Sequence, residues 1–176
     1  TILSDIESRY ALHGPISFVV ISPLAEGADR LMARTVLDYS DNSELHTILP
    51  MPKADYLKDF ETEESKAEFE SLLSRSSRLI IPKEKEISES TGEMKRVREE
   101  TYRSVGHRIV DACDILVALW DGQGARGIGG TAEIIEYAYS KKEKPVYIID
   151  AHDPERITNP EQHPHFRSHR FRVNDP

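Results

Sequence analysis

Cysteine is nearly missing: Cys113 is the one thiol in 176 residues. A lone cysteine makes no internal disulfide, which excludes the cross-linked core of small secreted domains. It predicts a cytoplasmic protein and, at Cys113 itself, a buried inert thiol. No apolar run approaches the roughly 20 residues of a membrane-spanning helix. The opening residues do not pass from basic to apolar as a secretory leader does. No membrane contact by this domain is therefore expected. Basic charge is also short, with 23 Lys and Arg against 31 Asp and Glu and a net charge of -8. A broad nucleic-acid surface needs a basic stripe to displace phosphate counterions, so nucleic acid is not the expected partner. Arg167, Arg170 and Arg172 do make the last residues locally basic. Retention on single-stranded DNA that vanished with salt would revive that reading. A small anion held by backbone N–H groups remains compatible with an acidic chain.

What is present is alternation. Five short apolar runs read as strands: 16–22 (ISFVVIS), 45–49, 78–81, 115–120 (ILVALW) and 145–149 (PVYII). They are apolar on both faces, as strands of a covered parallel sheet are. Helical segments separate them. Residues 26–39 carry Leu31, Met32, Thr35 and Val36 at helical spacing, and 62–74 carry Ala67, Phe69, Leu72 and Leu73. Residues 93–112 pack Tyr102, Val105, Ile109 and Val110, and 131–140 pack Ile134, Ile135 and Ala138. This order predicts an α/β fold: a doubly wound, mainly parallel sheet flanked by helices in three α/β/α layers. The opening TILSDIESRYAL reads as the end of a helix, with Ile2, Ile6 and Tyr10 on one face. A domain seldom opens in mid-element, so more chain is expected before Thr1. The first half of 83–98 reads as an exposed loop or lid. One domain is expected over 1–150. Residues 151–176, rich in Pro, His and Arg and without periodicity, are expected to be a tail or linker. No repeat is found.

Ligands of parallel α/β sheets sit beyond the carboxyl ends of the strands. After ILVALW comes DGQGARGIGGTAEIIEYA, which holds Gly122, Gly124, Gly127, Gly129 and Gly130. Such a run lets the backbone take positive φ and approach a ligand closely. Thr131 reads as the N-cap of the next helix, whose free N–H groups suit an anion. The alternative is a flexible surface loop with no ligand. Gly122, Gly124 and Gly127 also match the dinucleotide fingerprint, with Asp150 near the place of a ribose-binding acid. The third Gly of that fingerprint belongs inside the helix start, and Ile128, Gly129 and Gly130 intervene here. No dinucleotide cofactor is therefore expected. A second turn, SPLAEGADR at 22–30, offers Ser22, Gly27 and Arg30. Arg30 either reaches an anion or belongs with Asp29 to a solvated first helical turn.

Together the two turns resemble the SLOG superfamily. Residues 22–30 are similar to the Ser-Gly-x-Ala-x-Gly-x-Asp segment of the DNA-processing Smf/DprA proteins. Residues 127–133 are similar to the Gly-Gly-x-Gly-Thr-x-x-Glu segment of the LOG phosphoribohydrolases. Residues 113–122 with GGTAEI and KPV at 144–146 also resemble nucleoside 2-deoxyribosyltransferases. The resemblance covers about 16–150. It implies a Rossmann-like nucleotide-binding domain whose first strand precedes this chain, and it is compatible with a homo-oligomer. It implies a sensor of a nucleotide-derived signal, of the kind fused to effectors in bacterial defence. The pattern departs at Pro23, where Smf/DprA proteins have Gly, and at Ile134, where LOG enzymes have Glu. The acid here is Glu133, about 100° away around the helix.

Two roles follow. As a binding module, Gly129, Gly130 and Thr131 hold phosphate, and Ser22 and Gly27 line the opposite wall. Trp120, Tyr102 or Tyr56 stacks on a base, although Trp120 and Tyr56 equally suit the core. As an enzyme, the chain cleaves or transfers at an N-glycosidic bond, which needs a carboxylate beside the ribose. Asp121 and Glu133 are the catalytic pair for that role, although acids at a strand end and in a first helical turn also have structural uses. His163, His165 and His169 lie where no element fixes their geometry, so no metal site is expected.

Overall fold

The computed structural model describes residues 1–11, 14–81, 91–124, 128–163 and 165–166, and side chains of the long helix from residue 96 onward. The loop expected in the first half of 83–98, Gly127, and the tail residues Arg167, His169, Arg170 and Arg172 lie outside these residues. The chain is mixed α/β and divides into two compact units, 1–84 and 85–176. Among the described residues no helix is long and apolar enough to cross a membrane.

In the first unit, α1 (Ile2–Tyr10) leads to β1 (Val19–Ser22), α2 (Ala28–Tyr39), β2 (Glu44–Ile48), α3 (Lys53–Tyr56), α4 (Glu63–Ser74) and β3 (Ser76–Ile80). The strands form one parallel sheet ordered β1-β2-β3. Thr62 caps α4 by accepting from the Ser65 backbone N–H at 3.1 Å. The core gathers Leu45, Tyr56, Phe60, Phe69 and Leu72. Tyr56, the alternative base cover, is buried with its ring edge-on to Phe60 and Phe69 at 5.0 and 5.6 Å. On α2 the expected Val36 is buried, joined by Arg30 and Ala33, whereas Leu31 of the expected stripe is 55% exposed. On α1 the expected Ile6 is buried, with Leu3 beside it, and Tyr10 is exposed.

In the second unit, α5 (Thr91–Ala112) precedes β4 (Leu116–Trp120), α6 (Thr131–Glu136), β5 (Val146–Asp150) and β6 (Ile157–Thr158). A π-helical turn, Tyr137–Lys141, prolongs α6. Strands β4 and β5 pair in parallel, and β6 adds antiparallel to β5. Periodicity gave no element beyond residue 150; there the chain forms β6 and a 3-10 turn, Pro160–Gln162, and buries Phe166. Phe166 joins a core of Val110, Ala118, Trp120, Ala132, Ile135, Ala138, Val146 and Ile148. Helices α5 and α6 meet at Gly106, where a Cβ would lie 2.4 Å from Ile134 Cδ1. Cys113 is half-buried, and burial pushes its thiol up from the ordinary value.

Candidate functional site

Ser22, Gly27 and Arg30 belong to the first unit and the Gly-rich turn to the second. In the first unit, Ser22 ends β1 buried, and its Oγ accepts the Leu24 N–H at 3.0 Å. That bond supports Leu24 at φ 60, a left-handed conformation held by a wholly buried side chain. Gly27, at φ 84, then opens α2 as its N-cap. Arg30 is not a solvated first-turn side chain: it is 1% exposed. Its Nε donates to Leu24 O at 3.0 Å, and Nη1 donates to Ser65 O, Ser65 Oγ and Glu68 Oε2 at 2.9–3.0 Å. The guanidinium lies 4.3 Å from the centre of the Phe60 ring. Arg30 thus ties the turn after β1 to α4, with its described partners all within the unit. Desolvation pushes the neighbouring Asp29 carboxyl up to about 6, against a backbone bond from Ala25 and the Arg30 charge.

In the second unit a cavity of about 560 Å³ opens beyond the carboxyl ends of β4 and β5. Leu119, Trp120 and Ala151 come from those ends, and Asp121, Gln123, Gly124 and Ile128 from the turn. Gly129, Gly130, Thr131 and Ala132 bring the start of α6, and Glu99 and Tyr102 bring α5. Of the expected residues, Tyr102, Trp120, Asp121, Gly129, Gly130 and Thr131 are gathered here. Gly122 is exposed at φ 78 and serves the turn itself, where Asp121 Oδ1 accepts the Gln123 N–H at 3.0 Å. Trp120 is chiefly a core side chain, 4% exposed, with Nε1 donating to Gln123 O at 2.8 Å.

Two details depart from the sequence reading. The N-cap of α6 is Gly130, with no side-chain cap, and Thr131 is the exposed first helical residue. Glu133 does not line the cavity; its Oε2 accepts the Gly129 N–H at 2.7 Å, and Oε1 lies 3.9 Å from Arg103 Nε. This carboxylate braces the turn from behind, with Gly129 at φ 79 pressed against α5 so that a Cβ would lie 2.6 Å from Arg103 N. The carboxylates in the cavity are Glu99 and Asp121. Glu99 was missed because it stands in a polar helical stretch with no motif around it; only its place three residues before Tyr102 marks a shared helix face. His163 and His165 pack on Trp120, and among the described residues no group of three or more His, Cys, Asp or Glu could hold a metal ion.

The lining can hold a flat ring against Tyr102 and the apolar side chains. Glu99 and Asp121 can accept bonds from hydroxyl groups. The first-turn N–H groups of α6 have no acceptor within the helix. No protein-family model matches the chain, and no curated protein matches it.

Proposed function

We propose that this chain binds or senses a nucleotide or nucleotide-derived ligand, as a SLOG-type domain of a cytoplasmic bacterial signalling or defence protein. The observation that carries the reading is the cavity at the ends of β4 and β5, where a Gly-rich turn, aromatic Tyr102 and two carboxylates converge. A base rests on Tyr102, ribose hydroxyls donate to Glu99 and Asp121, and a phosphate faces the backbone at Gly130 and Thr131. The reading carries with it the doubly wound, Rossmann-like sheet expected from the order of strands and helices. Thermal shift over a panel of nucleoside mono-, di- and triphosphates and cyclic nucleotides tests it. A ligand at a hundred times its dissociation constant adds about 2.7 kcal/mol, or roughly 5–10 °C for a chain of this size. A flat response across the panel would sink the reading.

The paired acids favour one alternative, cleavage or transfer at an N-glycosidic bond. With Glu133 tied to Gly129, the carboxylates for that chemistry are Asp121 and Glu99. One would stabilise the oxocarbenium-like centre and the other would activate the acceptor. Incubation with nucleosides and nucleoside monophosphates, followed by chromatography for free base, decides it. Binding without release of base from any of them removes the enzyme reading and leaves the sensor.

A further inference from the structure

Glu133 meets two walls of the cavity from outside it. Its bond to the Gly129 N–H holds the turn wall, which continues through Gly130 and Thr131. Its other oxygen faces Arg103, the residue after Tyr102 on the α5 wall. An acid at the third residue of a helix ordinarily reaches back to the N-cap N–H. Glu133 is the third residue of α6, but it reaches one position further, to the residue before the Gly130 cap. Its bond is thus spent on Gly129 and not on Gly130 or Thr131, whose backbone faces the cavity. The same bond keeps Gly129 where its backbone meets that of Arg103. Further along, the close approach of Gly106 to Ile134 already packs α5 on α6. What is left to set is the separation of the turn from α5 beside Tyr102. The Arg103 pair is long, at 3.9 Å between half-exposed groups, so the charge-assisted bond to Gly129 is the stronger hold.

We propose that Glu133 is a positioning residue: through the Gly129 N–H it sets the separation of the turn from α5, and with it the affinity of the cavity for its occupant, without touching that occupant. The inference rests on the reading of this cavity as a nucleotide site, and it gives Glu133 a part in binding rather than in chemistry. A wall held in place before the ligand arrives lowers the ordering cost of binding. The plainer role for an acid in a first helical turn is to oppose the helix dipole. The two roles differ in what they require. The dipole needs the charge, whereas the turn needs an acceptor at the end of the side chain. Glu133→Gln removes the charge and keeps an acceptor, and Glu133→Ala removes both.

Trp120 is the one tryptophan of the chain, lines the cavity and packs in one core cluster with Ala132 of α6. Its quenching by acrylamide therefore reports the shape of the cavity without a ligand. In the full chain, Glu133→Ala is expected to raise that quenching about twofold and to weaken binding of adenosine 5′-monophosphate, measured by calorimetry, by about tenfold, as the loss of one partner of a half-buried bond does. Glu133→Gln is expected to quench as the wild type does and to bind within about threefold of it. Far-UV circular dichroism should be unchanged in both. Should the alanine variant not fold, the glutamine variant and the Gly129 amide signal in NMR carry the test: the amide should exchange slowly in both wild type and Glu133→Gln. Three results would each overturn the inference: quenching or affinity in Glu133→Ala equal to the wild type, a glutamine variant as impaired as the alanine one, or a Gly129 amide that exchanges freely in the wild type. A wild type that takes up no adenosine 5′-monophosphate counts against the nucleotide reading alone, and the quenching comparison then decides the role of Glu133.

Discussion

At Asp29, burial outweighs a helix start. A carboxylate in the first turn of α2 gains about 0.3–1 kcal/mol from the helix dipole. Desolvation nevertheless pushes the carboxyl up to about 6 from 3.8. The fold therefore favours the protonated form, so Asp29's contribution is intact below its ordinary value and is lost as pH rises through about 6. Asp29→Asn keeps an acceptor for the Ala25 N–H and removes the charge. It is expected to raise the unfolding free energy by on the order of 2 kcal/mol at pH 8 and to change little at pH 4, by urea denaturation. Gly129 is constrained twice, by φ 79 and by the Arg103 backbone 2.6 Å from its absent Cβ. Since backbone cannot step aside as a side-chain end can, Gly129→Ala is expected to cost on the order of 2–4 kcal/mol in the same assay. Little of this was legible in advance. Periodicity marks Arg30 as first-turn and charged; that it turns inward depends on Ser65, Glu68 and Phe60, which are 30 to 38 positions away. Glu133 was found as an acid near the turn, but its partner, the Gly129 N–H, is fixed by the turn and not by composition.

Elements were read more easily than faces. The five apolar runs became β1 to β5, because a short continuous apolar run needs no phase to be seen. Strand β6 has two residues and pairs through its backbone, which leaves no apolar signature. The π-helical turn after α6 likewise rests on Lys142 N–H reaching Tyr137 O at 3.2 Å, with nothing in the residue types to announce it. The meeting of α5 and α6 was also hidden, since Gly106 reads alone as a weak point in a helix. It is a point of close approach to Ile134. Gly106→Ala is expected to lower stability by about 1–3 kcal/mol, although alanine is the better helix former. In the background of Ile134→Ala, which removes the facing atoms, the same change should become neutral or stabilising. A double-mutant cycle in urea measures this, and additive effects would refute the close approach.

On the scale of the whole chain, the net charge of -8 and the cavity impose different demands. The acidic balance suits a small ligand better than a nucleic acid, and the cavity adds Glu99 and Asp121 without a described basic side chain among its lining residues. The location of the candidate site was legible because strand ends and glycines are both visible in sequence. Its walls were not, because α5 contributes through helix packing. The two-residue β6 has a consequence for handling the protein. It covers one edge of β5, whose sequence is VYIID. A chain cut after Asp150, where sequence alone would end the domain, exposes that edge and uncovers Trp120 together. An unpaired apolar strand edge is a template for self-association. The truncated chain should therefore emerge in the void volume on size exclusion and scatter light on mild warming. A chain extended through Phe166 should not, so these last described residues act as a guard against aggregation.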